Sequence, residues 1–385
     1  MVSTQAADIA WMLTATALVL LMTPGLSFFY GGMVGSKNIV ATMLQSFICL
    51  GLVSLIWILV GFSLAFGDSL GGLLGNPSTF FLFRHVDIEI NSFLSPSIPL
   101  LLFAMFQMKF AVITPALITG SFAERVQFSS YLIFISLFTL FIYCPLAHWT
   151  WHPHGILHQL GVLDFAGGTV VHLSAGIAAL TGAWFLGPRM KPKHQPASVP
   201  FVILGTGMLW FGWFGFNSGS ALGANQLAVL AFSTTHAASA SAMMTWIGYD
   251  LWRKKPLSAL NACIGAIVGL VAITPAAGYV TVQQALTIGV LASLASILAI
   301  SLRSKTSLDD TLDVFPCHGV GGIVGMLATG YFTSLETLQV HILALCFVFV
   351  FVFFTSLLLY KITDWILPMR VSQKQEQAGL DHGAD

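Results

Sequence analysis

Apolar runs of about 20 residues recur from one end of this chain to the other, and they limit what it can fold into more than any single motif does. A helix rises about 1.5 Å per residue, so each run can cross a hydrocarbon layer of about 30 Å. Eleven such runs stand out, at 8 to 34, 38 to 66, 97 to 121, 127 to 149, 164 to 187, 198 to 219, 226 to 252, 257 to 276, 282 to 302, 313 to 332 and 336 to 367. A soluble domain does not need them. Charged residues make up only 8% of the 385, against about 25% in an average soluble domain. The first run lacks a basic flank, carries Trp11 and continues past Pro24 with no small-residue cleavage pattern, so it reads as a retained helix rather than a signal peptide. The expectation is an all-α polytopic membrane protein with eleven transmembrane helices.

Basic residues give the direction. Lys37, Arg125, the trio Arg189, Lys191 and Lys193, the trio Arg253, Lys254 and Lys255, the pair Arg303 and Lys305, and Arg370 with Lys374 all follow odd-numbered runs. Arg84 in the second loop, Lys109 inside the third run and Lys361 near the end of the last are the remainder. By the positive-inside rule the odd loops and the C-terminus are cytoplasmic and the N-terminus is outside. The formal charge is zero, which gives no reason to expect a nucleic-acid partner. Cys49, Cys144, Cys263, Cys317 and Cys346 fall in or beside apolar runs without paired spacing, as small buried hydrophobes do. GTGMLWFG lies inside an apolar run and is not a phosphate loop, and the many glycines read as packing residues between helices.

The chain echoes itself. FAVITPALITG at 110 to 120, in the third run, resembles LVAITPAAGYV at 270 to 280, in the eighth. DFAGGTVVH in the fifth answers DVFPCHGVGG in the tenth. The unit is therefore five spans long, and an odd unit makes the second copy enter the membrane from the opposite face. This divides the chain into a first repeat at 1–187, a second, inverted five-helix repeat at 198–332, an eleventh span at 333–367 and a cytoplasmic tail at 368–385. A run as long as 336 to 367 would make a helix of nearly 50 Å, which has to lie obliquely.

His172 and His318 occupy matching places in the two halves. Polar groups at mid-membrane are costly, and a pair of them at equivalent positions points to a path. Each imidazole can donate with one nitrogen and accept with the other, and it titrates near neutrality. His172 lies about 12 Å along its helix from Asp164, whereas His318 is five residues into its run, so the two depths add to about 20 Å rather than about 30 Å. For the rings to meet, one or both helix starts must be recessed. Asp164, directly before a helical run, reads as a structural N-cap.

DFAGGTVVH, TPGLSFFYGG, FAERVQFS, FGWFGFNSGS, DDTLDVFPCHGVGGIVG and a tail with GLD and HG together resemble the ammonium transporter family of Amt, Mep and Rh proteins, its bacterial Amt branch in particular. The resemblance covers almost the whole chain. It implies a homotrimer in the inner (plasma) membrane, each subunit with its own pore for ammonium or ammonia, and neither enzymatic activity nor a cofactor. His172 and His318 would be paired pore histidines, Phe110 and Phe216 the stacked gate rings, and Trp151, Phe106, Phe110 and Ser220 the outer recruitment site. Gln107 and Trp213 would line the path. A PII-type signalling protein would be a partner at the cytoplasmic face.

Three features depart from the pattern. Lys109, one position before Phe110, turns about 100° away from it on a helix; it would snorkel outward or meet a subunit contact, and facing the pore it would repel the substrate. His148, His152, His154 and His158 crowd the loop around Trp151 at spacings that could bind zinc or copper, although His148 belongs to the family's AHW pattern. The tail ends without the longer acidic stretch of many relatives. Two rival functions follow: an ammonium sensor keeping the same fold, and a divalent-metal transporter using the outer histidines.

Overall fold

A computed structural model describes residues 2–192 and 195–383; Met1, Lys193, His194 and the last two residues lie outside the described part, Lys193 among the cations counted above. Eleven helices follow one another in it: α1 Val2–Met33, α2 Ile39–Phe66, α3 Leu100–Phe122, α4 at 128–151, α5 Gly168–Leu186, α6 Val199–Gly219, α7 Gln226–Trp252, α8 Ala259–Ile273, α9 Val282–Arg303, α10 at 315–333 and α11 Leu335–Ile366. A short α12, Gln373–Ala378, follows in the tail. The described residues include nine helical segments long and apolar enough to span a membrane by length and composition, with α8 a shorter apolar helix. The eighth run of the sequence reaches 276, yet α8 ends at Ile273. Pro275 has no N–H to give, and its carbonyl is taken instead by Phe165 N, 3.1 Å away.

Small residues set the helix spacing. Where α1 crosses α6, a Cβ on Gly205 would run into the backbone of Phe29, and one on Gly212 into Met22. Lipid offers helices no hydrophobic reason to associate, so such close approach supplies the contact energy. The 67 to 99 connection, in which the sequence offers no chemistry, forms two short hairpins, Ser69–Leu70 with Leu74–Gly75 and Ile90–Asn91 with Ser95–Pro99. These mark one end of the bundle, the hairpin end. The 32-residue α11 packs on α4 and α5 and on α10, touching both halves of the chain.

The opposite end, where the tail lies, is held by buried ions. Arg189 donates to Glu124 Oε2 at 2.7 Å and to both oxygens of Asp309 at 2.8 and 2.9 Å. Arg125 donates to Thr311 Oγ1 and to the Asp309 carbonyl, each at 2.7 Å, and Glu124 Oε1 accepts from Gly35 N at 2.7 Å. The connections after α1, α3, α5 and α9 thus share one network. The tail joins it: Arg370 donates to the Leu186 and Pro188 carbonyls and pairs with Glu376, Leu380 N reaches Asn38, and Asp381 accepts from Ala41 N at the start of α2.

Burial pushes the Asp309 carboxyl upward, but hydrogen bonds from the Arg189 side chain and backbone, and the charges of Arg189 and Arg125, outweigh it and hold the group below its usual range. A carboxyl depressed by folding stabilises above its unfolded value of about 3.9, and that contribution is lost as pH falls through the lower folded value. Asp309→Asn should therefore destabilise by about 3 kcal/mol at neutral pH, as expected when one partner of a buried ion pair is removed. Thermal melting in detergent checks this. The gap between variant and wild type should narrow below about pH 4; an equal gap at pH 3 and pH 7 would mean that the charge is not the source.

Candidate conduction site

Two helices of the bundle begin inside it. Before α5 the chain is irregular, and the Asp164 carboxylate accepts from Gly167 N at 2.8 Å, Gly168 N at 2.6 Å, Thr169 N at 2.7 Å and Thr169 Oγ1 at 2.5 Å. Asp164 is itself buried, and the helix it caps begins four residues after it, at Gly168. Gly167 adopts φ 116°, a conformation that suits glycine, and a Cβ on Gly168 would meet the Pro275 ring at 2.6 Å. The first turn, 168–173, is a wide π turn, and His172 is in it. Such turns concentrate at functional positions because they re-aim side chains that a regular helix would place elsewhere.

α10 begins in the same way with one correction to the sequence alignment. Asp313, the acid of DVFPCH, does not cap it. Asp310 does, accepting from Phe315 N at 2.8 Å, and the π turn 315–319 carries His318. Asp313 instead adopts φ 56° and pairs with Arg303 at 2.7 Å. Each histidine thus stands eight residues after its capping acid, a spacing legible in the sequence once Asp310 is taken as the reference.

The two imidazoles meet. Nδ1 of His172 and Nδ1 of His318 are 3.3 Å apart, with the rings nearly parallel at 22°. One ring must donate and the other accept, so the pair shares a single N–H at the contact. Both rings are buried, and His172 Nε2 has no hydrogen-bond partner among the described residues. Trp213 stacks on His172 at 5.3 Å while its indole N–H donates to Thr274 Oγ1 at 2.9 Å.

Toward the hairpin end a column of rings continues. Phe216 lies 6.1 Å from His172 and stacks on Phe110 at 4.1 Å and 23°. Trp151 meets Phe110 edge-on at 5.8 Å, its indole N–H donating to the Asp164 carbonyl at 3.0 Å. Above the stack is a cavity of about 160 Å³ whose walls include Phe103, Gln107, Phe110, Trp151, Phe165 and Ser220. Phe106 is not in that wall; it is fully buried and packs edge-on behind Phe110 at 4.9 Å. Phe103 and Phe165 take the place that the sequence reading gave to Phe106. Phe165 adjoins Asp164 and could have been found from it, whereas Phe103 carries no signal that separates it from the other phenylalanines. On the other side of the histidines, a constriction of about 10 Å³ lined by Leu312, Val314 and His318 shares Leu312 and Ile264 with a vestibule of about 790 Å³. Asp250, Arg253, Lys255 and Asp313 reach that vestibule.

Lys109 is buried but absent from the walls of the upper cavity, with Nζ 3.9 Å from Met108 Sδ. His148 spends both ring nitrogens on Ala65 O at 2.9 Å and Ser69 Oγ at 2.8 Å, and His152 stacks on it. Among the described residues no group of three or more His, Cys, Asp or Glu side chains is arranged to hold a metal ion.

Comparison with known proteins gives the family and the fold. Residues 10–384 match the model of the Ammonium Transporter Family. The chain is 42% identical to an ammonium transporter of Bacillus subtilis, over 98% of this chain and 96% of that protein. It is 41% identical to a putative ammonium transporter of Methanothermobacter thermautotrophicus, over 97% and 96%. Among solved structures, Saccharomyces cerevisiae Mep2 superposes with a TM-score of 0.89 at 32% identity, covering 96% of this chain and 88% of that one. A sensor Amt protein gives 0.91 at 29%, covering 98% of each.

The cap generates a test. Asp164→Ala strands three buried backbone donors and a hydroxyl, at about 1 to 3 kcal/mol for each donor left unpaired. The variant should melt well below wild type and lose ammonium-dependent current, with Asp164→Asn between the two because it keeps one acceptor oxygen. A wild-type melting profile for Asp164→Ala would remove the cap from the account of how His172 is placed.

Proposed function

The chain belongs to the ammonium transporter family and carries ammonium across a membrane, and we propose how its own residues divide that task. Ammonium is bound at the hairpin end by Trp151, Phe110 and Ser220, with Phe106 backing Phe110. It gives up its proton there, and neutral ammonia passes the Phe110 and Phe216 rings and the His172 and His318 pair. The proton crosses separately, along the imidazoles or water beside them. The observation that carries this reading is the 3.3 Å histidine contact directly behind a closed phenyl stack.

Energetics favour the division. A cation over an indole face gains about 2 kcal/mol when desolvated. That is small against the cost of moving a bare cation through an apolar passage. Removing the proton at the mouth avoids the cost, and it excludes potassium, which has no proton to give up. Ser220 Oγ donates to the Phe216 carbonyl at 2.9 Å, which leaves its lone pairs to accept from the ligand.

In this reading the hairpin end and the N-terminus are outside, and the tail is in the cytoplasm of a cell whose inner (plasma) membrane holds the protein. Support comes from the odd connections, which carry the basic residues and meet at the tail end. Residues 1–187 and 198–332 are the inverted repeats; Thr114 and Thr274, each before a proline, both bond back to the carbonyl four residues earlier, at Phe110 and Leu270. The assembly is a homotrimer, as the family resemblance implies, and each subunit has its own pore, since one chain supplies both the ring column and the histidine pair. The docked tail and its neighbouring basic loops are the surface a PII-type signalling protein would meet.

Currents from protein reconstituted in liposomes on a solid-supported membrane test the scheme. Trp151→Leu should raise the half-saturating ammonium concentration about 30-fold, the equivalent of about 2 kcal/mol, while leaving assembly intact. His172→Asp should admit potassium. Unchanged concentration dependence would remove Trp151 from recruitment, and a His172→Asp variant that still excludes potassium would remove the deprotonation filter.

A further inference from the structure

α11 supplies no residue to the upper cavity, the phenyl stack or the histidine pair, yet one of its side chains is bonded to the segment on which all three depend. His341, two turns into α11 and fully buried, accepts from Leu163 N through Nε2 at 3.0 Å, and its Nδ1 lies 2.7 Å from the Met326 carbonyl on α10. The two partners settle the proton. A backbone N–H can only donate, so Nε2 is bare; a carbonyl can only accept, so Nδ1 carries the hydrogen. Gly330 makes room for the ring, since a Cβ there would lie 3.3 Å from Nδ1.

Leu163 precedes Asp164, and this short irregular stretch is pinned on both sides. Leu163 N is fixed by His341 and Phe165 N by the Pro275 carbonyl at 3.1 Å. Between them the Asp164 carbonyl holds the Trp151 indole at 3.0 Å, and the Asp164 carboxylate holds the first turn of α5. The peptide that accepts from Trp151 is itself held at Phe165 N by Pro275, and the chain leading into it is held two peptide units earlier by a histidine from outside the pore.

We propose that His341 is a positioning residue for ammonium recruitment, acting through Leu163 and Asp164 on the orientation of Trp151. The proposal rests on the reading of Trp151 as a recruiting residue. It differs from a role in merely docking α11, which the bond to Met326 alone would serve.

The two roles are separated by His341→Asn. The Asn amide nitrogen falls close to where Nδ1 stands and keeps the bond to Met326, while nothing reaches Leu163 N. In reconstituted protein this variant should raise the half-saturating ammonium concentration about fivefold, the effect of one lost hydrogen bond, with maximal current near wild type and the melting temperature lowered only modestly by the one stranded donor. In a Trp151→Leu background the same substitution should change half-saturation little, because coupled residues are not additive. His341→Gln, whose amide carries an acceptor and a donor about as far apart as the two ring nitrogens, should restore the wild-type value. An equal fold-change in both backgrounds, or a fall in maximal current at unchanged half-saturation, overturns the proposal. Should His341→Asn not fold, the Gln variant decides alone: a fivefold rise there that Trp151→Leu does not absorb overturns it equally. If Trp151→Leu itself leaves half-saturation unchanged, it is the recruitment reading that has failed.

Discussion

Backbone amides cannot be left bare inside a bilayer, and this chain places two irregular segments there. Those before α5 and α10 lie within the bundle, where several N–H groups would each cost a few kcal/mol without an acceptor. Asp164 and Asp310 supply the acceptors from their carboxylates. The recess this allows brings two π turns, and the histidines on them, to one depth. Without the caps both helices would have to begin at the surface, and rings eight residues past each capping acid on opposed helices would add to about 24 Å of a layer of about 30 Å and miss each other. The meeting of the two histidines is thus a consequence of how two helix starts are satisfied.

That dependence explains which parts were legible in the sequence. The helices were visible because crossing the bilayer forces long apolar runs, and all eleven C-terminal ends fall within a few residues of where the runs stop. The pair of histidines was visible because imidazole at that depth needs a reason. The capping acid of α10 was not, because DVFPCH places Asp313 where an alignment of letters wants it, and only the backbone, with φ 56° at Asp313, shows that the chain turns there before the helix begins. Phe103 entered the cavity wall unannounced for a different reason. Among 31 phenylalanines, facing is decided by packing, and the sequence carries the residue type without its direction. His341 was missed because one histidine in a long apolar helix has no companion to mark it.

The two ends of the bundle solve different electrostatic problems. At the tail end charges are many, buried and paired, and a single network around Arg189 and Asp309 joins four connections to each other and sits beside the tail. At the hairpin end the mouth has aromatic faces and few formal charges, which attract a cation without binding it hard. Between them the walls are phenyl, indole and imidazole. Paired ions at that depth would have paid more in desolvation than their attraction returned.

Lys109 shows how narrowly such a middle tolerates charge. It is adjacent in sequence to Phe110 of the phenyl stack, and on a helix that adjacency is what keeps it out of the upper cavity: about 100° of rotation puts Nζ beside Met108 rather than beside Trp151. A shift of one residue in the register of α3 would exchange the two side chains and set an ammonium group against an ammonium substrate. The contacts that fix α3 in register therefore bear on transport as directly as the residues that touch the ion. Trp57 Nε1 donates to the Ala104 carbonyl at 3.0 Å, and Tyr30 Oη to the Leu117 carbonyl at 2.9 Å, one on each side of Phe110 along α3. Trp57 lines none of the cavities described above and Tyr30 borders only the constriction beside His318, yet both hold in place the helix that decides which of two neighbours, a phenyl ring or a cation, faces the phenyl stack.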